Sequence, residues 1–379
     1  NYKILTKEVE RMNRFVVATT VTASVLAAVE AGCCPTPTGT CCSGPCDCQF
    51  GESLSQPEML KELFEEFRKT HSRSYSTMDE EMHRYGVFQE TLKTIDERNA
   101  AEKQMGGSAR HGITKFADLT QAEFESMYLD SRTASHMRKM NATRVEAPRG
   151  TTTGAVDYTA SQTTAVKDQG NCGSCWAHAA AQQIESDGMR QYGNPSSLEL
   201  SVQQFVSCDI DKSTGQLGCM GGLQELGFEY VTATGGIVTA ADYPYSSYDG
   251  RTTPCDTSKT NYVMGVNGYE MIGGIGMDVS ETEAGFTSYM LSTGTISIGV
   301  DATTWNTYQG GIMSNCGKGT SINHAVQLVG VDTESGYWKI RNSWSPSWGE
   351  DGAIRVSYGA NTCGLCTEGG SYTDVFNIS

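Results

Sequence analysis

The sequence predicts an α+β protein, with a helical amino-terminal segment ahead of a larger unit whose helical half faces a strand-rich half. Three stretches carry this expectation. From residue 55 to 99 apolar side chains recur at helical spacing, with Leu60, Leu63, Phe64 and Phe67 on one stripe. An alanine-rich run free of glycine and proline begins at Cys175. Further on, residues 297–302, 325–331, 337–340 and 353–358 alternate or stay apolar as strands do.

Bulk properties narrow the function classes. A chain of 379 residues holds two or three compact units. With 19% charged residues, 38% apolar residues and 42 glycines, it fits a loop-rich globular protein. A net charge of -16 argues against a nucleic-acid binder, which needs clustered lysine and arginine.

Met12, Asn13 and Arg14 precede an apolar run from residue 15 to 29, closed by the small residues of Val29-Glu30-Ala31, so 12–31 reads as a signal peptide. Residues 1–11 stand before that Met and are read as a leader or untranslated extension. No stretch is long and apolar enough for a stable membrane span. An exported chain with 14 cysteines is expected to form disulfides. Six of them crowd residues 32–54, which reads as a disulfide-stapled knot, with thiolate-only metal binding as the alternative. Elsewhere no metal or cofactor is expected.

Residues 55–130 open with Ser55 and Glu58 spaced as a capping box around Pro57. Thr77 and Glu80 repeat the box, and a second helix is expected from there to Asn99. Glu80, Arg84, Phe88, Thr91, Ile95 and Asn99 follow at three- and four-residue steps and so share one face. Residues 131–150 hold five basic residues without an apolar period and read as an exposed processing linker. Asn141-Ala142-Thr143 and Asn377-Ile378-Ser379 are glycosylation sequons.

The chemistry concentrates between Gln169 and Trp176. With Ser174 as N-cap, a helix should begin at Cys175 and put its thiol at the positive end of the helix dipole, which favours the nucleophilic thiolate. His324, at the start of a strand through Val331, is the candidate imidazolium partner and acid for the leaving amine. Asn342 would accept from the other ring nitrogen, and Trp344 would shield that bond. Gln169 could join the Cys175 N–H as a donor to the developing oxyanion.

The face from Glu80 to Asn99 closely resembles the Glu-Arg-Phe-Asn-Ile-Asn signature of cathepsin L-type propeptides, with Thr91 replacing its first Asn. Gly112, Thr114, Phe116 and Asp118 fit the second propeptide motif, continued by Leu119, Thr120 and Phe124. Cys172-Gly173-Ser174-Cys175-Trp176 with the later His and Asn is similar to the papain-family signature; His178 departs from it, where relatives usually carry Phe.

The resemblance implies a papain-like two-domain enzyme at 151–379, with a helical left domain from about 155 to 260, a β-barrel-like right domain from about 261 to 379 and the cleft between them. It implies that 55–130 is an inhibitory propeptide running through the cleft against the substrate direction. Val156-Asp157-Tyr158 resembles the start of mature relatives, which puts the mature terminus between 148 and 155. It implies disulfides joining Cys172 to Cys219, Cys208 to Cys255, and Cys316 to Cys363 or Cys366, with Cys175 free and one further thiol, expected at Cys366. Gly221 and Gly222 would pair with an extended peptide. Leu223, Gly299, Ile322, Asn323 and Glu368 would line the P2 pocket, made roomy by Gly299 and able to take a bulky apolar residue or, through Glu368, arginine.

The expected activity is therefore cysteine endopeptidase, as a monomer acting on peptides or proteins, inhibited by its own propeptide. The expected location is the secretory pathway, ending in lysosome or vacuole or outside the cell. A catalytically silent relative and a transglutaminase-like acyl transferase are the rival readings.

Overall fold

The computed structural model describes residues 50–130, 144–145, 150–317 and 321–378. The signal-peptide reading, the cysteine-rich stretch and most of the linker lie outside the described residues.

The amino-terminal unit is helical: α1 (Gly51–Leu54), α2 (Pro57–Thr70), α3 (Met78–Gln104) and α4 (Gln121–Tyr128), with the short strand β1 (Arg110–His111) between the last two. Pro57 occupies the first turn of α2, but the cap is Gln56 without a side-chain bond, so the box expected of Ser55 and Glu58 does not open this helix. Proline already lacks the N–H that a cap would satisfy. At α3 the Thr77 hydroxyl accepts from the Glu80 N–H at 3.1 Å, while the Glu80 carboxylate reaches back to the Ser76 N–H at 2.9 Å, one residue before the cap. The helix runs to Gln104 rather than Asn99, because nothing before Gly106 stops it. Phe88, Leu92 and Ile95 of α3 are fully buried against Leu60, Leu63, Phe64 and Phe67 of α2. The Phe88 ring lies 5.3 Å from that of Phe64 and 5.2 Å from that of Phe67. Phe88→Ala should therefore cost the amino-terminal unit about 3–5 kcal/mol, measurable as a lower thermal unfolding midpoint for that unit.

The larger unit holds β2 (Arg144–Val145), β3 (Ala155–Asp157), α5 (Cys175–Tyr192), α6 (Val202–Cys208), the hairpin β4 (Ile210–Asp211) and β5 (Gln216–Leu217), and α7 (Gln224–Thr234). There follow β6 (Met264–Ile272), α8 (Val279–Ser292), β7 (Ile296–Val300), β8 (Tyr308–Gly310), β9 (Ile312–Met313), β10 (His324–Asp332), β11 (Tyr337–Arg341), β12 (Ala353–Ser357) and β13 (Gly370–Asn377). The main sheet runs β2-β6-β13-β7-β10-β11-β12-β9, with β3 paired to β10. Its two ends do not pair, so the strand-rich half is an open sheet and not a closed barrel.

One core packs around this sheet and α8, with Trp305, Trp338, Trp344 and Trp348. A second surrounds α5, with Trp176, Phe205 and Phe228. The division does not fall at residue 261 along the chain. Ala155–Asp157 pairs with Gly330–Asp332 in the sheet, while Met264, Val266 and Val375 join the core of α5. The two ends of the unit cross over, which ties the halves together, and α8 supplies a helix that strand periodicity does not announce.

The amino-terminal unit docks through the end of α3 and the loop after it. Asn99 clamps β1 by accepting the His111 N–H at 2.8 Å and donating to its carbonyl at 3.0 Å, and β1 pairs antiparallel with β8. Half-buried Arg98 donates to the Thr304 carbonyl, Asn306 and Thr307 at 2.6–3.1 Å, and the Glu102 carboxylate accepts the N–H groups of Ser314 and Asn315.

Candidate active site

Helix α5 begins at Cys175. Ser174 flanks it but its side chain does not cap it; the hydroxyl lies 2.8 Å from the Tyr245 hydroxyl instead, because that partner and the His178 ring occupy its side of the turn. The Cys175 thiol is 2% exposed. Burial pushes its pKa up to about 12; the Ala325 N–H beside the sulfur opposes this, and the Asp130 carboxylate adds to it. The thiolate expected from the helix dipole is thus not the state of the covered chain, since desolvation outweighs the dipole.

His324 opens β10 and is fully buried. Its Nε2 donates to the Asn342 side-chain oxygen at 2.8 Å, and that oxygen also accepts the Ser343 N–H at 2.8 Å, which fixes the amide. Nδ1 has no hydrogen-bond partner among the described residues. Burial lowers the His324 pKa to about 4, the Asn342 bond opposes the shift, and nearby His178 adds to it. The Trp344 ring lies 4.8 Å from the His324 ring, tilted by 31°, and screens the bond to Asn342.

Gln169 is fully buried and held at both ends of its amide. Its oxygen accepts from the Ser343 hydroxyl at 2.7 Å and the Trp344 indole N–H at 3.1 Å. Its Nε2 donates to the Cys172 carbonyl at 2.9 Å and to the Tyr128 carbonyl of the propeptide at 3.2 Å. Gln169, Asn342 and Trp344 thus form one bonded group through Ser343, and Gln169 ties it to the Cys172 carbonyl just ahead of α5.

The chain after α4 lies along the cleft. The Asp130 N–H donates to the Asn323 carbonyl at 2.6 Å, and its carboxylate accepts the Gly222 N–H at 3.1 Å. Gly221 does not share that role. Its N–H bonds to the Gly218 carbonyl and its carbonyl to the Leu217 N–H, closing a turn at φ 111°, so Gly222 alone faces the bound chain. Phe116, Phe124 and Tyr128 pack edge-on against Trp344 with ring separations of 5.3–6.2 Å.

Leu223 is buried with Met271. A Cβ on Gly299 would lie 2.6 Å from Ile322 and 3.1 Å from the Glu368 carboxylate. A side chain at this position would therefore meet both Ile322 and Glu368. Glu368 is 4% exposed, so it is not a surface glutamate.

Disulfides join Cys172 to Cys219, Cys208 to Cys255, and Cys316 to Cys363. Cys175 and Cys366 are free and buried. Among the described residues no group of His, Cys, Asp and Glu is arranged to hold a metal, and no helix is long and apolar enough to cross a membrane.

Four residues escaped the sequence reading. Tyr128 and Asp130 end the propeptide pattern just where a capped helix, Thr120 to Tyr128, delivers the chain to the cleft; the Thr120–Glu123 box was the available signal. Gln216 accepts the Leu223 N–H at 2.7 Å and donates to Asp209 at 2.7 Å, and so holds the strand beside the cleft. Tyr245 links Ser174 to Gln169, and only tertiary packing brings it there.

Comparison with known proteins agrees with this geometry. Residues 153–372 match the papain family cysteine protease profile, and residues 64–124 match the cathepsin propeptide inhibitor domain. Cysteine proteinase 2 of Leishmania pifanoi is 37% identical over 317 residues; the match covers 79% of this chain and 66% of that protein. Cathepsin L 2 of Paramecium tetraurelia is 35% identical over 305 residues, covering 80% of this chain and 90% of its own. The structure of digestive procathepsin L2 from Tenebrio molitor superposes with a TM-score of 0.70 at 28% identity, over 83% of this chain and 99% of that one. The chain therefore belongs to the papain family of cysteine proteases and carries a cathepsin-type inhibitory propeptide in front of its peptidase unit.

Proposed function

We propose that the protein is a cysteine endopeptidase made as a self-inhibited zymogen, with 55–130 as the inhibitor, 131–150 as the processing linker and a mature start between 148 and 155. One observation carries this reading: Gln169, Asn323 and Gly222, the groups that would grip a substrate backbone, are each bonded to Tyr128 or Asp130 of the propeptide. The Tyr128 carbonyl accepts from the Gln169 Nε2, the group this reading assigns to the oxyanion.

With the propeptide gone, water returns to the cleft and the Asp130 charge leaves. Rehydration lowers the thiol pKa and raises that of the imidazole, and loss of the Asp130 charge lowers the thiol pKa further, so the proton moves from Cys175 to His324. The thiolate sulfur attacks the substrate carbonyl carbon, and the oxyanion is taken by the Cys175 N–H and the Gln169 Nε2. His324 gives its proton to the amine nitrogen as the C–N bond breaks, leaving an acyl-enzyme. His324 then takes a proton from water, whose oxygen displaces the sulfur and releases the acid. Asn342 keeps the ring in plane throughout.

Acid release follows from the direction of the pKa shifts. Arg84 holds the Glu123 carboxyl down to about 2, so this pair stabilises the folded propeptide fully above pH ~4.3, and the contribution is lost as pH falls through about 2. Burial raises Glu102 and Asp118 instead, so acid favours their protonated, docked forms. Burial also holds His71 down to about 4 and His111 down to about 3, so the stability they give as neutral rings is full above pH ~6.5 and is lost as pH falls through those values; loosening in acid thus runs through these two histidines and Arg84–Glu123. Acidifying the purified precursor should produce cleavage near 148–155 and hydrolysis of a dipeptidyl-Arg amide. A parent that shows neither and cannot be told from Cys175→Ala would refute the protease assignment.

Selectivity would come from Leu223, Gly299, Ile322, Asn323 and Glu368, which should accept a bulky apolar residue or arginine at P2. The buried Glu368 carboxylate beside Gly299 supports the arginine option. Glu368→Ala should lower the Arg-to-Phe preference in a P2 library by about tenfold or more, since it removes a charge-assisted partner; an unchanged ratio would take Glu368 out of the pocket. Action on peptides or proteins as a monomer in the secretory pathway completes the reading.

A further inference from the structure

The mechanism above leaves His178 unused, although it sits one turn after Cys175 on α5 and is 1% exposed. Its Nδ1 lies 2.9 Å from the Ser174 carbonyl oxygen. A carbonyl only accepts, so Nδ1 carries the hydrogen. Burial lowers the pKa of the ring to about 4, against the Ser174 bond, which keeps it neutral and in this tautomer above that pH. The same carbonyl also accepts the His178 backbone N–H at 3.0 Å.

That doubly bonded carbonyl belongs to the peptide joining Ser174 to Cys175, and the other end of the same peptide is the Cys175 N–H. Hydrogen bonds to an amide oxygen draw electron density through the C–N bond and make its N–H a stronger donor. A frame surrounds the peptide. The Tyr245 hydroxyl donates to the Gln169 carbonyl at 2.9 Å, so its 2.8 Å contact with Ser174 has the serine as donor. The His178 ring meets Tyr245 edge-on at 5.1 Å and 76°. Both groups assigned to the oxyanion, the Cys175 N–H and Gln169, are thus tied to one small cluster.

We infer that His178 is a positioning residue for acyl transfer, which holds and polarises the Ser174–Cys175 peptide through Nδ1–H and so strengthens the Cys175 N–H as an oxyanion donor. The inference rests on the protease reading. A phenyl ring at this position fills similar space but cannot donate, so the effect is chemical rather than steric.

The test uses matured parent enzyme with His178→Phe, His178→Asn and Tyr245→Phe. Three properties are compared: kcat and KM on a peptide amide; affinity for a peptide aldehyde, whose carbonyl carbon bonds to the Cys175 sulfur and whose oxygen enters the oxyanion site; and alkylation by iodoacetamide, which needs the thiolate but no oxyanion. His178→Phe should lower kcat and aldehyde affinity together by about three- to tenfold, a fraction of the loss of a whole donor, with KM and alkylation rate unchanged. His178→Asn, whose amide can donate to the same carbonyl, should recover most of the loss. Tyr245→Phe should show the same pattern at a smaller factor, and with His178→Asn it decides the matter if the Phe variant does not fold. Aldehyde affinity equal to the parent's in His178→Phe, or in Tyr245→Phe when it stands in, overturns the inference, as does an alkylation rate that falls in step, which would mark a displaced helix. A parent that neither cleaves peptide nor binds aldehyde overturns the protease reading itself, and this inference with it.

Discussion

Cys175→Ala should lower peptide hydrolysis by a factor on the order of 10⁶, while the precursor keeps its fold and stays uncleaved in acid. The size of the loss follows from the role of the thiol as nucleophile: among the described residues the other free thiol, Cys366, lies in the core of the sheet and cannot stand in for it. Alkylation of the parent reports the same chemistry before activation. In the precursor the thiol sits at about 12 and the imidazole at about 4, so both are neutral between those values. Iodoacetamide should modify Cys175 slowly at neutral pH and much faster once the propeptide has gone, because only the thiolate reacts. A precursor thiol that reacts as fast as the mature one would contradict this electrostatic account.

Gln169→Ala should reduce kcat by about 10²- to 10³-fold with a small change in KM. The amide is held in place by Ser343 and Trp344, so no reorganisation is needed as charge develops on the substrate oxygen. Because its Nε2 also bonds to the Tyr128 carbonyl, the variant precursor should release its propeptide more readily. Kinetics on pre-matured enzyme separate the two effects. A loss in KM with kcat preserved would assign Gln169 to ground-state binding rather than to the oxyanion.

Much of the architecture was legible where local patterns suffice. The α3 face from Glu80 to Asn99, the start of α5 at Cys175 and the four strands read from apolar runs all occur, with ends shifted by at most five residues. The departures have local causes: Pro57 moves the cap of α2 to Gln56, and Tyr245 draws the Ser174 hydroxyl away from capping. Helix α8 was missed because its buried face mixes Thr282, Glu283, Thr287 and Ser288 with apolar residues and weakens the period.

The candidate site divides in the same way. Residue types and local contexts were enough to nominate Cys175, His324, Asn342 and Gln169, since a helix-start thiol and the groups that could activate it leave marks in the chain. Which partner each group meets is a matter of long-range packing. The Gly222 N–H is met by an aspartate far earlier in the chain, Gly221 is closed into its own turn, and Ile322 and the Glu368 carboxylate both lie close to where a Cβ on Gly299 would be. Charge state depends most on tertiary structure, because desolvation is a property of everything that covers a group and not of its neighbours in sequence. The helix dipole of α5 is written in the chain. Only the propeptide lying over the cleft leaves that thiol protonated.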